Sequence, residues 1–266
     1  MKIIVCIKQI IDPEIKSDQF RLDPSTHRQI RGSLPLVISA YDQNALEVAL
    51  QLREKAGGHI TALSIGEPGA GVAIKSALGM GVDAGVLVCG ADDVASDVFG
   101  VADILVRAIQ KIGLPDLILT GCVSGDTGHK VIAPLIAEEL GFPCATFVSR
   151  IEARDGKFTL RRVVEDGYEL VEGTPPIVVS ILSDELNVPR YPKMREIMVA
   201  ARKQVPIWKA ADLGDEHSGV AGGPARLQLM QVEIPKQESR CEMLEGEMPE
   251  ERAERLALRL RELKFI

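Results

Sequence analysis

Residues 115–143 read Pro-Asp-Leu-Ile-Leu-Thr-Gly-Cys-Val-Ser-Gly-Asp-Thr-Gly-His-Lys-Val-Ile-Ala-Pro-Leu-Ile-Ala-Glu-Glu-Leu-Gly-Phe-Pro. Within them the apolar run Leu117–Leu119 is short and flanked by turn residues, which predicts a buried strand of a parallel sheet. Glycines recur in the loop that follows, at Gly121, Gly125 and Gly128. A residue without a side chain lets a ligand come close to the backbone, so this loop is a candidate ligand cradle.

The same segment predicts a helix directly after the loop. Asp126 and Thr127 are residue types that cap helix N-termini. The first amides of such a helix point outward and its dipole favours negative charge, so the segment suits a nucleotide phosphate. An ordinary strand–turn–helix corner explains the same residues equally well, and both interpretations stay open at this point.

Length, composition and charge limit the functional classes. The chain has 266 residues, of which 46% are apolar and 26% are charged, as in ordinary folded domains. The net charge of −7 argues against nucleic acid as a partner, because binding to its backbone needs clustered Lys and Arg. No apolar run approaches the roughly 20 residues of a membrane span, so no membrane insertion is expected.

Cysteine usage and the start of the chain indicate a reducing compartment. Five cysteines are widely scattered, at positions 6, 89, 122, 144 and 241, and none forms a Cys-x-x-Cys pair. This argues against a disulfide scaffold, a thiol redox pair and a metal site. Lys8 interrupts the first apolar run too early for a secretory signal, so the expected location is the cytoplasm or the equivalent mitochondrial matrix.

Strand-like and helical patterns alternate over the first 145 residues. The predicted strands are Lys2–Ile7, His59–Ile65, Gly85–Cys89 and Leu117–Thr120. The predicted helices are one that starts at a capping box, Ser39 to Asp42, and stops at Gly57-Gly58, then Val72–Leu78 and Val94–Ile112. This order predicts an α/β fold, a Rossmann-like parallel sheet with helices on both faces. Ligands of such sheets lie outside the carboxyl ends of the strands, where Cys6, Ile65 and Gly121 fall.

The pattern changes after Cys144. Four strand-like runs follow, Thr146–Ile151, Phe158–Val164, Tyr168–Glu172 and Ile177–Ile181. Asp155-Gly156 and Asp166-Gly167 are hairpin signals between them. We expect an antiparallel hairpin extension that packs on the edge of the parallel sheet.

The last part of the chain has another character. Gly214–Pro224 is a Gly-rich linker, Leu227–Ile234 is a candidate strand, and Pro249–Leu263 is an amphipathic helix with Leu256, Leu260 and Leu263 on one face. Such a stripe must be buried somewhere. The interpretation is a nucleotide-binding domain over residues 1–212 and a C-terminal arm over residues 213–266.

No constellation of catalytic residues emerges. Gly69-Ala-Gly71 follows a strand and precedes a helix, as in a dinucleotide fingerprint, with Asp92 about 20 residues on. The third glycine position is Ile74, whose branched side chain would obstruct close helix–strand packing, so a tight turn is the preferred interpretation. A nucleotide pocket without catalytic groups favours a carrier or a regulator over an enzyme, and no catalytic residue is assigned.

Several segments together resemble the electron transfer flavoprotein β-subunit family. In chain order they are Ile4–Asp12, Tyr41–Leu50, Leu78–Ala84, Asp116–Gly121 with Gly125–Thr127, Ile136–Pro143, and Asn187–Met198. The matches cover about residues 1–212. The resemblance implies a heterodimer with an α subunit, an FAD held mainly by that subunit, and AMP or a second FAD in the β pocket.

The resemblance also implies partners and site residues. Electrons would pass from acyl-CoA dehydrogenase-like flavoenzymes, or from NADH in the electron-bifurcating branch, to a quinone-reducing or other acceptor. The implied cofactor-binding residues are Cys6, Ser39, Ala40, Tyr41, Asp42, Ile65, Gly121, Cys122, Val123, Ser124, Gly125, Asp126, Thr127, Gly128, His129 and Lys130. The run from Tyr41 and the Gly125-Asp-Thr turn look more like the bifurcating branch, which favours FAD over AMP.

The segment from Arg190 to Val199 is expected to dock on partner dehydrogenases. Its implied docking residues are Arg190, Tyr191, Met194 and Met198. A flexible apolar side chain ringed by cations suits a transient interface with acidic enzymes. The alternative is that Met194 and Met198, four residues apart, form one buried helix face.

Two other functional classes are alternatives to an electron carrier. A nucleotide-binding regulatory module of the universal-stress-protein type shares the strand–helix alternation and the phosphate loop. An NAD-dependent dehydrogenase rests on Gly69–Gly71 alone. A simple stress-protein module needs neither the antiparallel hairpins nor the Asn187–Met198 segment. The arm is expected to reach onto the α subunit, or else to fold back on its own sheet.

Overall fold

The computed structural model describes residues 1–23, 25, 29–90, 97–214, 226, 227, 229, 230, 232–234 and 241–266. These residues form two compact units, Met1–Met230 and Gln231–Ile266. The boundary proposed at residue 212 and the contact of the arm with a second subunit stay predictions.

Strands and helices alternate through the first unit. The strands are β1 Lys2–Cys6, β2 Gln9–Ile11, β3 Leu36–Ile38, β4 His59–Ile65, β5 Ala84–Cys89, β6 Leu117–Gly121, β7 Cys144–Arg154, β8 Lys157–Val164, β9 Gly167–Gly173, β10 Ile177–Ile181 and β11 Ile207–Lys209. The helices are α1 Ala40–Ala56, α2 Gly71–Met80, α3 Val98–Ile112, α4 Ile132–Leu140 and α5 Met194–Arg202, with α6 Pro249–Glu262 in the second unit. The predicted start of α3 at Val94 lies outside the described residues.

Nine of these strands form one sheet, in the order β11-β5-β4-β1-β6-β10-β7-β8-β9. The pairs from β11 to β7 are parallel, whereas β7–β8 and β8–β9 are antiparallel. Buried apolar residues of α1 and α2 cover one face of the sheet, and those of α3 and α4 cover the other. The predicted α/β fold with helices on both faces is therefore confirmed.

The chain order reverses beside β1. From β1 the chain moves outward through β4 to β5, and then crosses back to place β6 on the other side of β1. Beyond their last paired residues, Val5 and Leu119, β1 and β6 separate. Such a reversal opens a crevice at the carboxyl ends of the strands, which is where open α/β sheets bind ligands.

The antiparallel extension was predicted correctly for three strands and wrongly for one. Both Asp-Gly turns join antiparallel pairs, β7 to β8 and β8 to β9. Ile177–Ile181, however, is inserted between β6 and β7 and runs parallel to both. All five residues of this strand are buried, as expected of a strand covered on both faces.

Three smaller predictions are wrong. Ser39 precedes α1 but its hydroxyl makes no capping hydrogen bond. Helix α4 begins at Ile132, several residues later than Asp126 and Thr127, and lacks a side-chain cap. The described residues within 227–234 form no strand.

The packing around Ile74 corrects the reason given against a dinucleotide fingerprint. A Cβ at Gly85 would lie 2.2 Å from Ile74 Cγ2, so the missing side chain on β5 makes room for the branched one on α2. Close helix–strand packing is therefore achieved, with the glycine on the strand. The preceding Pro68–Ala70 forms a single 3-10 turn, as the tight-turn interpretation requires.

The segment Asn187–Met198, one of those that resemble the family, is fixed by one buried amide. Asn187 is fully buried, and its Nδ2 donates to the carbonyls of Ser149 at 3.0 Å and Leu182 at 2.8 Å. Its Oδ1 accepts from Asn44 Nδ2 at 3.1 Å and from the Asp184 amide at 2.9 Å. One side chain thus joins α1, β7 and the chain after β10.

We expect Asn187→Ala to lower the free energy of unfolding by about 2–4 kcal/mol, because it leaves several buried donors and acceptors without partners. Urea denaturation followed by circular dichroism measures this change. Gln51→Ala is the matched control: the Gln51 amide bonds to the Leu186 carbonyl at a position open to water, and its loss should cost about 1 kcal/mol or less. Equal losses for the two variants would contradict the role given to Asn187.

Candidate nucleotide site and docking segment

The crevice between β1 and β6 is held open by one carboxylate. After Val5, the Ile7 amide donates to Leu63 of β4 at 2.8 Å, whereas the Cys122 amide donates to Ile181 of β10 at 2.8 Å. The two strands are thus drawn apart. The amides that face each other across the gap, on Lys8 and Gly121, both donate to Asp42, at 2.8 Å to Oδ2 and 3.0 Å to Oδ1.

Asp42 is buried and replaces the backbone acceptors that each strand has lost. Its position in the first turn of α1 places it there. Burial raises the pKa of this carboxyl to about 7, against the lowering effect of the two amides and of Lys8, while Asp126 adds to the rise. The sequence placed Asp42 in a capping box, and the resemblance implied that it contacts the cofactor. In the structure its carboxylate instead joins the ends of β1 and β6, while contact with a cofactor stays a prediction.

The loop after β6 closes on itself around Ser124. The Ser124 amide donates to the His129 carbonyl at 3.0 Å, and the Ser124 carbonyl accepts from the Gly128 amide at 2.9 Å. The hydroxyls of Ser124 and Thr127 share a hydrogen bond of 2.6 Å. Gly125 to Lys130 are exposed, and Val123 is half-buried. The predicted loop residues are therefore together at the carboxyl edge, on a turn rather than on a helix N-terminus.

An ion pair crosses the mouth of the crevice. Lys8 Nζ lies 2.7 Å from Asp126 Oδ1, and both side chains are partly exposed. His129 and Lys130 add two basic side chains to the same loop. Lys8 was not among the predicted site residues, although its place directly after β1 is where the fold expects a ligand contact.

A buried polar group without a partner supports a polar ligand in the crevice. Ser39 is fully buried, and its Oγ has no hydrogen-bond partner. A Cβ on Gly125 would lie 3.4 Å from this Oγ, so the absent side chain leaves the hydroxyl facing the loop. Groups in this state need a partner, and a nucleotide offers suitable ones.

The remaining predicted contacts lie around the same edge. Cys6 ends β1 and is buried, Ile65 ends β4 and is half-buried, and Ala40 and Tyr41 begin α1. Burial raises the pKa of the Cys6 thiol to about 12 and that of Cys122 to about 11. Both thiols are therefore protonated at neutral pH.

The predicted docking segment is exposed and firmly anchored. Met194 is 72% exposed, Met198 55% and Tyr191 96%, so the alternative of a buried methionine face is wrong. Arg190 differs: its guanidinium bonds to Glu47 at 2.8 and 2.9 Å and also to Glu54. These two carboxylates raise the pKa of Arg190. Arg190 thus fastens the segment to α1, while the apolar side chains project outward.

Comparison with known proteins decides the family. The profile described as "Electron transfer flavoprotein domain" matches residues 30–213. The chain belongs to the electron transfer flavoprotein β-subunit family. Its α/β fold, a mostly parallel sheet with helices on both faces, is consistent with this electron-transfer family. Among the residues that the structure describes, no helix combines the length and apolarity needed to cross a bilayer.

Three relatives show how far the similarity extends. The chain is 36% identical to an electron transfer flavoprotein subunit beta of Thermoanaerobacterium thermosaccharolyticum, over 94% of each chain. It is 35% identical to a protein of the same name from Clostridium acetobutylicum, over 86% of each. It is 31% identical to the caffeyl-CoA reductase-Etf complex subunit CarD of Acetobacterium woodii, over 100% of each. The regulatory-module interpretation gains no support from these matches.

We expect Gly121→Ala to destabilise the crevice, because a Cβ there would lie 2.5 Å from Asp42 Oδ1 and 2.8 Å from Tyr41 Cβ. Overpacking of this kind costs about 1–3 kcal/mol of unfolding free energy, measured by urea denaturation. Gly69→Ala is the control, since nothing lies within 4 Å of a Cβ at that position. A Gly121→Ala protein as stable as Gly69→Ala would show that the contact between α1 and β6 is not tight.

Proposed function

We propose that this chain is the β subunit of a heterodimeric electron transfer flavoprotein and binds an adenine nucleotide in the crevice between β1 and β6. The observation that carries the proposal is the crevice itself, where the unpartnered Ser39 hydroxyl, a glycine-containing loop and basic side chains converge. A partner α subunit holds most of the FAD. The chain supplies no catalytic residue of its own and acts as part of an electron carrier.

The nucleotide proposed for the crevice is a second FAD, with AMP as the alternative. Both need the same adenosine site and phosphate loop, and FAD also needs space for its isoalloxazine ring towards the α subunit. The Tyr41–Glu47 run and the Gly125-Asp-Thr turn resemble the bifurcating branch. When bound, two flavins would allow electron pairs from NADH to be split between two acceptors.

Denaturing the purified heterodimer and quantifying its released nucleotides by chromatography tests this proposal. We expect two FAD and no AMP per heterodimer. One FAD with one AMP would refute the second flavin but keep the nucleotide site. A colourless homodimer carrying ATP would instead support the regulatory module and overturn the assignment as a carrier.

The proposed partners are flavoenzymes of the acyl-CoA dehydrogenase type and a quinone-reducing or other acceptor, in the cytoplasm or the mitochondrial matrix. The docking surface is formed by Tyr191, Met194 and Met198, which Arg190 holds in place. Lys193 and Arg195 flank Met194, so an apolar anchor is surrounded by positive charge. This combination suits transient contact with several acidic partners.

We expect Met194→Ala to slow electron transfer from the dehydrogenase by about tenfold, since an interface anchor is commonly worth about 1–2 kcal/mol. Flavin content and binding of the α subunit should stay unchanged. Leu114→Ala is the matched control, because Leu114 is 58% exposed just before β6, outside the docking segment. Stopped-flow kinetics with a reduced dehydrogenase compares the variants, and equal rates for both would remove Met194 from the docking surface.

The C-terminal arm over residues 213–266, which includes the unit Gln231–Ile266, is proposed to reach onto the α subunit, the alternative being that it folds back on its own sheet. Helix α6 begins with Pro249, and it carries Glu250 and Glu251 in its first turn, a favourable charge at a helix start. Leu256 and Leu263 are 48% and 49% exposed. An apolar stripe of this kind gains most when a partner covers it.

A further inference from the structure

The proposed function does not explain why a buried carboxyl group, that of Asp42, lies beside the nucleotide site. Its carboxylate is only 7% exposed and accepts two backbone amides, on Lys8 and Gly121. The nearby Lys8 ammonium acts on it electrostatically, but the hydrogen bond of this ammonium goes to Asp126. A buried carboxylate bonded to two neutral donors therefore lies directly beneath the loop proposed to hold phosphates.

From this geometry we infer that Asp42 takes up a proton when an anionic nucleotide enters the crevice, so that nucleotide binding is coupled to pH. The inference rests on the proposed nucleotide site and adds a means of regulating it. Asp42 acts as a positioning residue, because it holds the two strand ends and touches the ligand site through them.

Charge balance gives the direction of the coupling. Phosphate groups at the Gly121–Lys130 loop bring negative charge towards a carboxylate that burial already disfavours. They also compete with Asp126 for Lys8, whose positive charge lowers the pKa of Asp42. Both effects make protonation of Asp42 easier in the complex than in the free protein.

Two buried thiols and two charged side chains surround Asp42. Cys6 from β1 and Cys122 after β6 have pKa values raised to about 12 and about 11, so neither changes charge near neutral pH. Lys8 and Asp126 are the charged groups that act on Asp42. His129 and Lys130 lie on the same loop and are the other basic side chains of the proposed site.

Proton uptake on binding determines how the affinity for the nucleotide depends on pH. The pKa of free Asp42 is raised to about 7, and an anionic ligand raises it further, so protons are taken up on binding around pH 7–8. Affinity for the nucleotide therefore increases as the pH falls through this range. Each pKa unit by which the ligand raises the value for Asp42 tightens binding up to about tenfold.

Isothermal titration calorimetry of FAD, in buffers of different ionisation enthalpy, measures the number of protons taken up. The sample is the full chain in its purified complex after removal of bound nucleotide. FAD is the probe because its diphosphate does not titrate near neutral pH, and AMP is the second probe. We expect a substantial fraction of one proton for the wild-type protein and none for Asp42→Asn.

Two control variants separate Asp42 from other groups. Asp116→Asn changes a carboxylate that likewise accepts a backbone amide, from Lys2 at 2.7 Å, but at the opposite edge of the sheet. It should keep the full proton uptake. His129→Gln should also keep it, whatever its effect on affinity.

A second measurement covers the case in which Asp42→Asn does not fold. Infrared difference spectra of the wild-type protein should show a protonated carboxyl band on FAD binding, and this band should shift with 13C-labelled aspartate. Binding of FAD without proton uptake, or uptake lost in His129→Gln and kept in Asp42→Asn, would overturn the inference and leave the proposed function intact. Failure of both FAD and AMP to bind would overturn the nucleotide site itself.

Discussion

The hydrogen bonds from the Lys8 and Gly121 amides to Asp42 are the interaction on which the crevice depends. Two adjacent parallel strands normally satisfy one another's amides to their ends. Here each strand turns to its outer neighbour, and the inner amides would be buried without acceptors, which is costly. A carboxylate from α1 satisfies both, so that the sheet can open without leaving orphaned backbone groups.

This solution has its own energetic cost. A buried carboxylate is disfavoured by desolvation, which is why its pKa is raised to about 7. Hydrogen bonds from amides to a charged acceptor are stronger than neutral ones and offset part of that cost. The crevice therefore concentrates polar groups that are poorly satisfied, including the Ser39 hydroxyl, at the one edge of the sheet where a polar ligand would complete them.

Much of the fold follows from periodicity in the sequence. The apolar periodicity of helices α1 and α3 and of strands such as β4 is enough to predict these elements. The two Asp-Gly turns likewise predict the hairpins that they connect. Ile177–Ile181 was placed wrongly because its partners, β6 and β7, are distant in sequence and the preceding hairpins suggested a continued meander. Its nearly continuous apolar run, interrupted only by Ser180, rather than an alternating one, was the available signal for a central parallel strand.

The site was less accessible to prediction than the fold. The sequence pattern predicted that the loop and the start of α1 lie at the same edge of the sheet. The role of Asp42, however, depends on the separation of two strands, which no local pattern encodes. The same holds for Arg190, whose sequence context suggests an exposed cation, whereas Glu47 and Glu54 lie on a helix more than a hundred residues earlier. Only the folded structure brings these groups together.

Helix α1 links the crevice to the segment that Arg190 anchors. It has 17 residues and, at about 1.5 Å of rise per residue, spans about 25 Å. Its first turn carries Asp42, and its later turns carry Glu47 and Glu54, which grip Arg190. One continuous helix therefore fixes the distance between the crevice and the predicted docking segment.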